Sequence, residues 1–165
     1  MAARKKTTKA VGRSRSSKPK QAAAKGRTAR PVRRAKPQPR GLNLRSAGPS
    51  YTVDDLQKSI AFYRDVLDCA IGERWEREGR LLGVEMKAGD VTFWLGQDDW
   101  KKGRGRAKGE GFRIYCETRQ DVDRLAEGIK ARGGMLSEEP HDEPWGGRSF
   151  GVVDPDGFKL TITRA

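Results

Sequence analysis

The first 40 residues contain no acidic side chain and no leucine, isoleucine or phenylalanine. They hold 15 of the chain's 35 lysines and arginines and none of its 22 aspartates and glutamates. The rest is left with 20 basic against 22 acidic residues, a net charge of −2. The formal charge of +13 therefore belongs to one end. Nowhere do 18 apolar residues run together, which excludes a hydrophobic membrane-spanning helix. No apolar stretch follows the basic start, so a secretory signal is not expected. An amphipathic transit helix would lack its apolar face, because Leu42 is the first leucine.

Cysteine and histidine are scarce. Cys69 and Cys116 form neither a CxxC pair nor a zinc pattern, and are expected to be small buried hydrophobes in a reducing, cytoplasmic setting. His141 is the one histidine. Its neighbours Glu138, Glu139, Asp142 and Glu143 could be imagined as metal ligands, but contiguous carboxylates have no fixed geometry, and a solvated acidic loop is expected. There is no GxSxG, Cys-His pair, phosphate loop or dinucleotide fingerprint. The glycines of GRGRAKGEG lack the preceding strand and following helix that phosphate cradling needs.

Residues 1–41 cannot build a core, with Val11 and Val32 as their only branched apolar side chains. Self-repulsion and missing apolar area predict a disordered tail. Its composition resembles the tails of linker histones. Cations such as Arg4, Lys5, Lys6, Arg13, Arg15, Lys18, Lys20, Arg33 and Arg34 suit a polyanion. On nucleic acid they would release counterions and read no sequence. Without an aromatic residue the tail offers no base stacking. Nucleic acid, at the nucleoid or on ribosomes, is the expected partner; a merely solubilising extension is the alternative.

From 42 to 165 the pattern is globular and repeats itself. A short strand at Tyr51–Val53 leads to a helix with Asp54 or Asp55 as cap and Leu56, Ile60, Tyr63 and Leu67 on one face. Three strands are expected over 69–78, 81–87 and 90–96, with turns at Gly79-Arg80 and Gly89-Asp90. A basic, glycine-rich and mobile linker is predicted at 99–110. The order then recurs: a strand at 112–117, and a helix capped by Asp121, with Val122, Leu125 and Ile129 inside and a stop at Gly133. Strands follow over 133–139, 148–153 and 158–163, the last after the turn Asp154-Pro155-Asp156-Gly157. The side chains of Asp154 and Asp156 are read as turn caps, not as an acid-base pair. The reading is α+β: two βαβββ modules, 45–98 and 111–165, making a curved eight-stranded mixed sheet around a cleft.

VDDLQKSIAFYRDVL resembles the first-helix signature of the glyoxalase/bleomycin resistance/dioxygenase superfamily, and EPWGGRSFGVVDPDGFKL resembles its closing hairpin, with Pro144-Trp145-Gly146, Arg148 and Phe150 before the DPDG turn. The resemblance covers 45–165. It implies, for the enzymes, one divalent metal held by His, Gln or Glu at each module's first strand and Glu at its last, polarising a substrate. The matching positions here are Gly48, Trp94 or Phe93, the strand opening Phe112-Arg113-Ile114, and Thr161. None is a good donor, so no metal and no cofactor are expected, and the resemblance points to the bleomycin-resistance type.

Strand parity then outlines a cleft. Phe158, Leu160 and Ile162 should pack on a helix, and Val91, Phe93 and Leu95 in the core. Lys159, Thr161 and Thr163 should face the cleft with Thr92, Trp94, Ser50 and Thr52. The binding residues expected are Ser50, Thr52, Thr92, Trp94, Lys159 and Thr161, with Trp100 as a rim. No catalytic residue is assigned. A Trp wall, hydroxyls and a Lys suit a flat organic molecule, held by stacking and sequestered or sensed, with a homodimer as the expected assembly. The alternatives are a metal-dependent lyase, isomerase or dioxygenase using Glu85 or Glu117, and a nucleic-acid protein whose domain is only an anchor. Should the tail not serve, Lys101, Lys102, Arg104, Arg106 and Lys108 are the next nucleic-acid candidates.

Overall fold

The computed structural model describes residue 42 and residues 44–164. The tail, with the expected disorder and its cationic contacts, lies outside the described residues. The elements are β1 (Ser50–Val53), α1 (Leu56–Ala61), continued by a π-helical turn over Phe62–Val66, β2 (Ala70–Arg77), β3 (Arg80–Ala88) and β4 (Val91–Gln97). The second set is β5 (Arg113–Thr118), α2 (Val122–Ala131), β6 (Leu136–Asp142), β7 (Arg148–Val153) and β8 (Lys159–Arg164). The βαβββ order therefore occurs twice. The eight strands divide into two mixed four-stranded sheets, ordered β1-β4-β3-β2 and β5-β8-β7-β6. In each, the first strand runs parallel to the last.

Local chemistry sets the element ends. Asp55 caps α1, its carboxylate accepting from the Lys58 N–H, and Asp121 caps α2, accepting from Asp123 and Arg124. The β2–β3 turn is Glu78-Gly79, one residue earlier than the sequence suggested. Both residues have positive φ (52° and 74°), as a two-residue hairpin turn requires. Gln97 clasps the start of α1, accepting from the Leu56 N–H at 3.1 Å and donating to the Asp54 carbonyl at 2.8 Å. Arg148 forks onto Asp123 of α2 at 2.8 Å and also holds Asp142, tying helix to hairpin. That hairpin leaves Trp145 exposed at its tip.

The two cores interlock. Tyr51, Val53, Tyr63, Val84, Met86, Phe93 and Leu95 form the first cluster, and Phe158 of the second module joins it, 4.6 Å from the Tyr51 ring. Phe158 was expected to pack on a helix, and the cluster it joins includes Leu56 and Ile60 of α1, in the other module. Val122, Ala126, Ile129, Phe150 and Val152 form the second cluster, against which Phe62, Val66 and Leu67 of the first module pack. Each fully buried aromatic contributes about 2–3 kcal/mol by area. Val91, expected in the core, is 59% exposed: it pairs with Ala88 at the end of the hairpin, beside the Gly89 turn.

The Asp154–Gly157 turn is the clamp between modules. The buried Asp154 carboxylate accepts from the Tyr63 hydroxyl (3.0 Å) and from the N–H groups of Phe158 (2.8 Å) and Asp156 (3.0 Å). Burial still holds its carboxyl above the usual range. Asp156 accepts from the Asp54 N–H at 2.7 Å and the Ser59 hydroxyl at 3.0 Å. The turn-cap reading fits Asp154, whose carboxylate also reaches Tyr63, whereas the Asp156 carboxylate reaches across to the start of α1 instead of capping the turn.

The segment 99–110, expected to be mobile, is anchored at its far end. Lys108, with 6% of its side chain exposed, pairs with Asp98 (4%) and with Asp54 at 3.1 Å, and Arg106 reaches Asp98 at 2.6 Å. Gly109 packs backbone to backbone on Gly157, where a Cβ would overlap the carbonyl. A buried ammonium must find carboxylates, and this one finds two.

Candidate functional site

The six expected cleft residues fall into two groups on two sheets. Ser50 and Thr52 are exposed on the face of β1 opposite the buried Tyr51 and Val53. Trp94 is half-buried on β4, in register with Ser50 on one side and Glu85 on the other. Thr92 lies one pleat away, paired with Lys87. On the second sheet Lys159 is exposed and pairs with Arg113; Thr161 is buried and pairs with Tyr115. Thr163 pairs with Glu117, which is exposed. Trp100 sits apart in the basic segment, with the Arg104 guanidinium 4.1 Å above its ring.

Counted back five residues from the end of each module's first strand, Gly48 and Arg113 correspond. Ser50-Trp94 then matches Tyr115-Thr161. These are the positions where the superfamily's enzymes are expected to carry metal donors. The Trp94 ring lies over Gly48, where a Cβ would come within 2.9 Å of the indole and 2.7 Å of the Thr92 carbonyl. Phe93 points into the core, which leaves Trp94 as the cleft residue of β4. Arg113 donates to the Thr161 hydroxyl at 3.0 Å. Guanidinium is a permanent cation without a lone pair to give. Indole, absent side chain, guanidinium and the hydroxyl bonded to it do not fit a divalent ion. Elsewhere among the described residues no three His, Cys, Asp or Glu side chains gather as a metal would need. His141 is exposed, with Nδ1 2.9 Å from the Glu139 carbonyl and Nε2 3.6 Å from the Glu143 carboxylate.

Two residues on the first sheet's cleft face were not picked out for the cleft wall from sequence. Trp75 pairs with Gly83, and its ring lies 3.3 Å from where a Cβ on that glycine would be. The Glu85 carboxylate lies over Gly72 in the same way, held by Lys87 at 3.2 Å and the Glu73 N–H at 3.3 Å. Glycines thus let two indoles and a carboxylate lie flat on the sheet. The glycines beneath the side chains were the available signal, but only the register of β2 reveals it, and that strand is bulged.

Cysteine chemistry is absent from these faces. Cys69 is buried, and burial pushes its thiol up to about 11, far from a thiolate at neutral pH. Two depressions occur elsewhere, one of about 630 Å³ between Asp142, Gly146 and Arg164, the other of about 280 Å³ between Asp54, Lys58 and Arg106. Neither includes any of the six cleft residues. No helix among the described residues is long and apolar enough to cross a membrane.

Comparison with solved structures gives the same architecture. A superfamily member from Sphaerobacter thermophilus DSM 20745 matches with a TM-score of 0.60 at 23% identity, over 74% of this chain and 98% of that one. TioX from Micromonospora sp. ML1 matches with a TM-score of 0.59 at 19% identity, over 72% of this chain and 98% of its own. By sequence, the chain is 28% identical to lactoylglutathione lyase GLX1 of Arabidopsis thaliana over 134 residues, 75% of this chain but 45% of that protein. It is 27% identical to glutathione transferase FosA of Serratia marcescens over 112 residues, 67% of this chain and 73% of that one. The chain thus spans less than half the length of the plant lyase. The family model for the Glyoxalase/Bleomycin resistance protein/Dioxygenase superfamily matches residues 47–162, nearly the whole of the two-module fold, and the chain belongs to that superfamily.

Proposed function

We propose that this chain is a non-catalytic binding protein of the bleomycin-resistance type, sequestering or sensing a small flat organic molecule on its cleft faces. The observation that carries the reading is the set Gly48, Trp94, Arg113 and Thr161 at the four donor positions, with the indole laid over the glycine and the guanidinium bonded to the hydroxyl. Trp94 and Trp75 offer ring area, and Ser50, Thr52 and Thr92 offer hydroxyls beside it. Both sheet faces are open in one chain, with Trp75 and Tyr115 exposed. A homodimer in which a second copy covers these faces follows from that exposure.

Titration of the full chain with 2-naphthylmethanol, followed by equilibrium dialysis, tests the stacking wall. Trp94→Ala should weaken binding about tenfold, the worth of a stacked aromatic pair. Unchanged affinity would remove Trp94 from the site. The tail is proposed to add sequence-independent nucleic-acid contact, holding the protein at the nucleoid. Deleting residues 1–41 should abolish salt-sensitive retention on DNA; equal retention without the tail would move the contact to Lys101, Lys102 and Arg104.

A second reading is favoured by Glu85, a largely covered carboxylate beside Trp94, and by the names of the lyase and transferase relatives. In that reading the protein is an enzyme of the superfamily with Glu85 as its base. Any turnover found should then vanish in Glu85→Gln, and turnover surviving that substitution would dismiss it.

A further inference from the structure

The second module's cleft face carries a chemistry that stacking does not use. Arg113 and Lys159 are register partners on β5 and β8, and the next pair on the same face is Tyr115 with Thr161. Paired strands lie about 5 Å apart and same-face neighbours about 7 Å along a strand, so one aromatic ring and two cations share a patch the size of a small arene. Thr161 is buried, and its hydroxyl holds the Arg113 guanidinium at 3.0 Å. Of the guanidinium's five N–H donors, one goes to Thr161 and one approaches Glu138 at 3.5 Å, while 38% of the side chain stays exposed. Among the described residues Lys159 forms no ion pair. Tyr115 is 63% exposed.

We propose that this patch is an anion-receiving corner, and that the ligand of the cleft is a planar aromatic molecule carrying an anionic group such as a carboxylate. The proposal rests on the cleft reading above and adds the ligand's charge to it. A planar carboxylate matches the guanidinium fork in two parallel hydrogen bonds, Lys159 supplies a second charge, and Tyr115 takes the ring face. The competing anion, Glu138, is half-exposed and off hydrogen-bonding distance, so its hold on Arg113 is weak and displaceable. The opposite preference, for a cation on Glu85, is met by a carboxylate already engaged with Lys87 and the Glu73 N–H.

Three probes sharing one ring system separate these cases in equilibrium dialysis against the full chain: 2-naphthoate, 2-naphthylmethanol and 2-naphthylmethylammonium. Naphthoate should bind about tenfold more tightly than the alcohol, and the ammonium most weakly. Arg113→Met with Lys159→Met should cost naphthoate about tenfold and the alcohol clearly less, which brings the two affinities together. The tail's charge is the same in both proteins and cannot produce that difference. Lys159→Met alone, at an exposed site that folding does not need, should cost naphthoate about threefold. Equal affinities for naphthoate and the alcohol, or a naphthoate preference that survives the double substitution, overturns the anion corner and leaves the cleft standing. Tightest binding of the ammonium assigns the ligand's charge to Glu85 instead. Failure of all three to bind removes the cleft reading, and the corner with it.

Discussion

The two modules share one topology and differ in what they place on it. In the first, the last strand brings an aromatic, Trp94, opposite a hydroxyl on the first strand, Ser50. In the second the order is exchanged: the first strand brings the aromatic, Tyr115, opposite the hydroxyl of Thr161. The first sheet lays its indoles on glycines, with the Glu85 carboxylate beside them held by Lys87. The second has a guanidinium propped by a buried hydroxyl beside an exposed Lys. Behind the sheets the contrast runs on, since the first core holds the rings of Tyr51, Tyr63, Phe93 and Phe158 among its aliphatic side chains, and the second buries Phe150 alone. The repeat thus fixes where side chains point, while each module carries its own chemistry at those points. Neither is independent, because Phe158 fills the first core and Phe62 and Val66 brace the second.

That coupling is the place to break the comparison hardest. Asp154→Ala strands the Tyr63 hydroxyl and two backbone N–H groups, and should cost about 3 kcal/mol in urea unfolding of the full chain. The wild type should unfold in one transition, and the variant should separate the modules into two. A single transition of unchanged midpoint would mean the clamp is not structural. Next in size is Gly48→Ala, which drives a methyl into the Thr92 carbonyl and the Trp94 ring, at about 2 kcal/mol and with a shifted indole emission. Stability equal to wild type would show that Trp94 does not rest on Gly48.

The anchored segment gives a pH-dependent contrast. Lys108 beside Asp98 holds that carboxyl down to about 2, below its ordinary value near 4. A carboxylate held low in the folded state stabilises the fold above its unfolded value, and the contribution is lost as pH falls from about 4 to 2. Lys108→Met should therefore melt below wild type at neutral pH, and the two curves should converge toward pH 2. A gap that stays constant with pH would refute the ion pair as the cause. The smallest effect sharpens the picture of the first sheet: Trp75→Ala should weaken 2-naphthylmethanol about threefold, since Trp75 extends the aromatic floor that Trp94 begins. No change there would confine the floor to Trp94.

Much of the fold could be read from the chain. Both helix caps and the repeat of βαβββ follow from spacing and turn residues; most elements fall within a residue or two of the expected bounds, but β6 runs Leu136–Asp142 where 133–139 was expected, and takes in part of the acidic run read as a loop. What could not be read is where two distant segments meet. Asp154 and Asp156 look like turn formers in sequence, and only the folded chain brings Tyr63 and Ser59 onto them. Lys108 sits in a glycine-rich basic run that reads as unattached, because its partners Asp98 and Asp54 precede it by 10 and 54 residues. Trp75 was missed as cleft wall because β2 is bulged, so counting by twos loses the face. Arg113 was counted only as a non-donor. Its value as a cation appears once Lys159 is seen beside it.

In the proposed function the superfamily's metal positions are given over to other chemistry, with Gly48, Trp94, Arg113 and Thr161 in them. Elemental analysis of the full chain, purified without chelator or nickel affinity, tests it most directly. No stoichiometric transition metal is expected, with none taken up on incubation with zinc or manganese at concentrations that fill an ordinary site. One metal held tightly per chain, or per pair of chains, would contradict it and bring the enzyme reading forward.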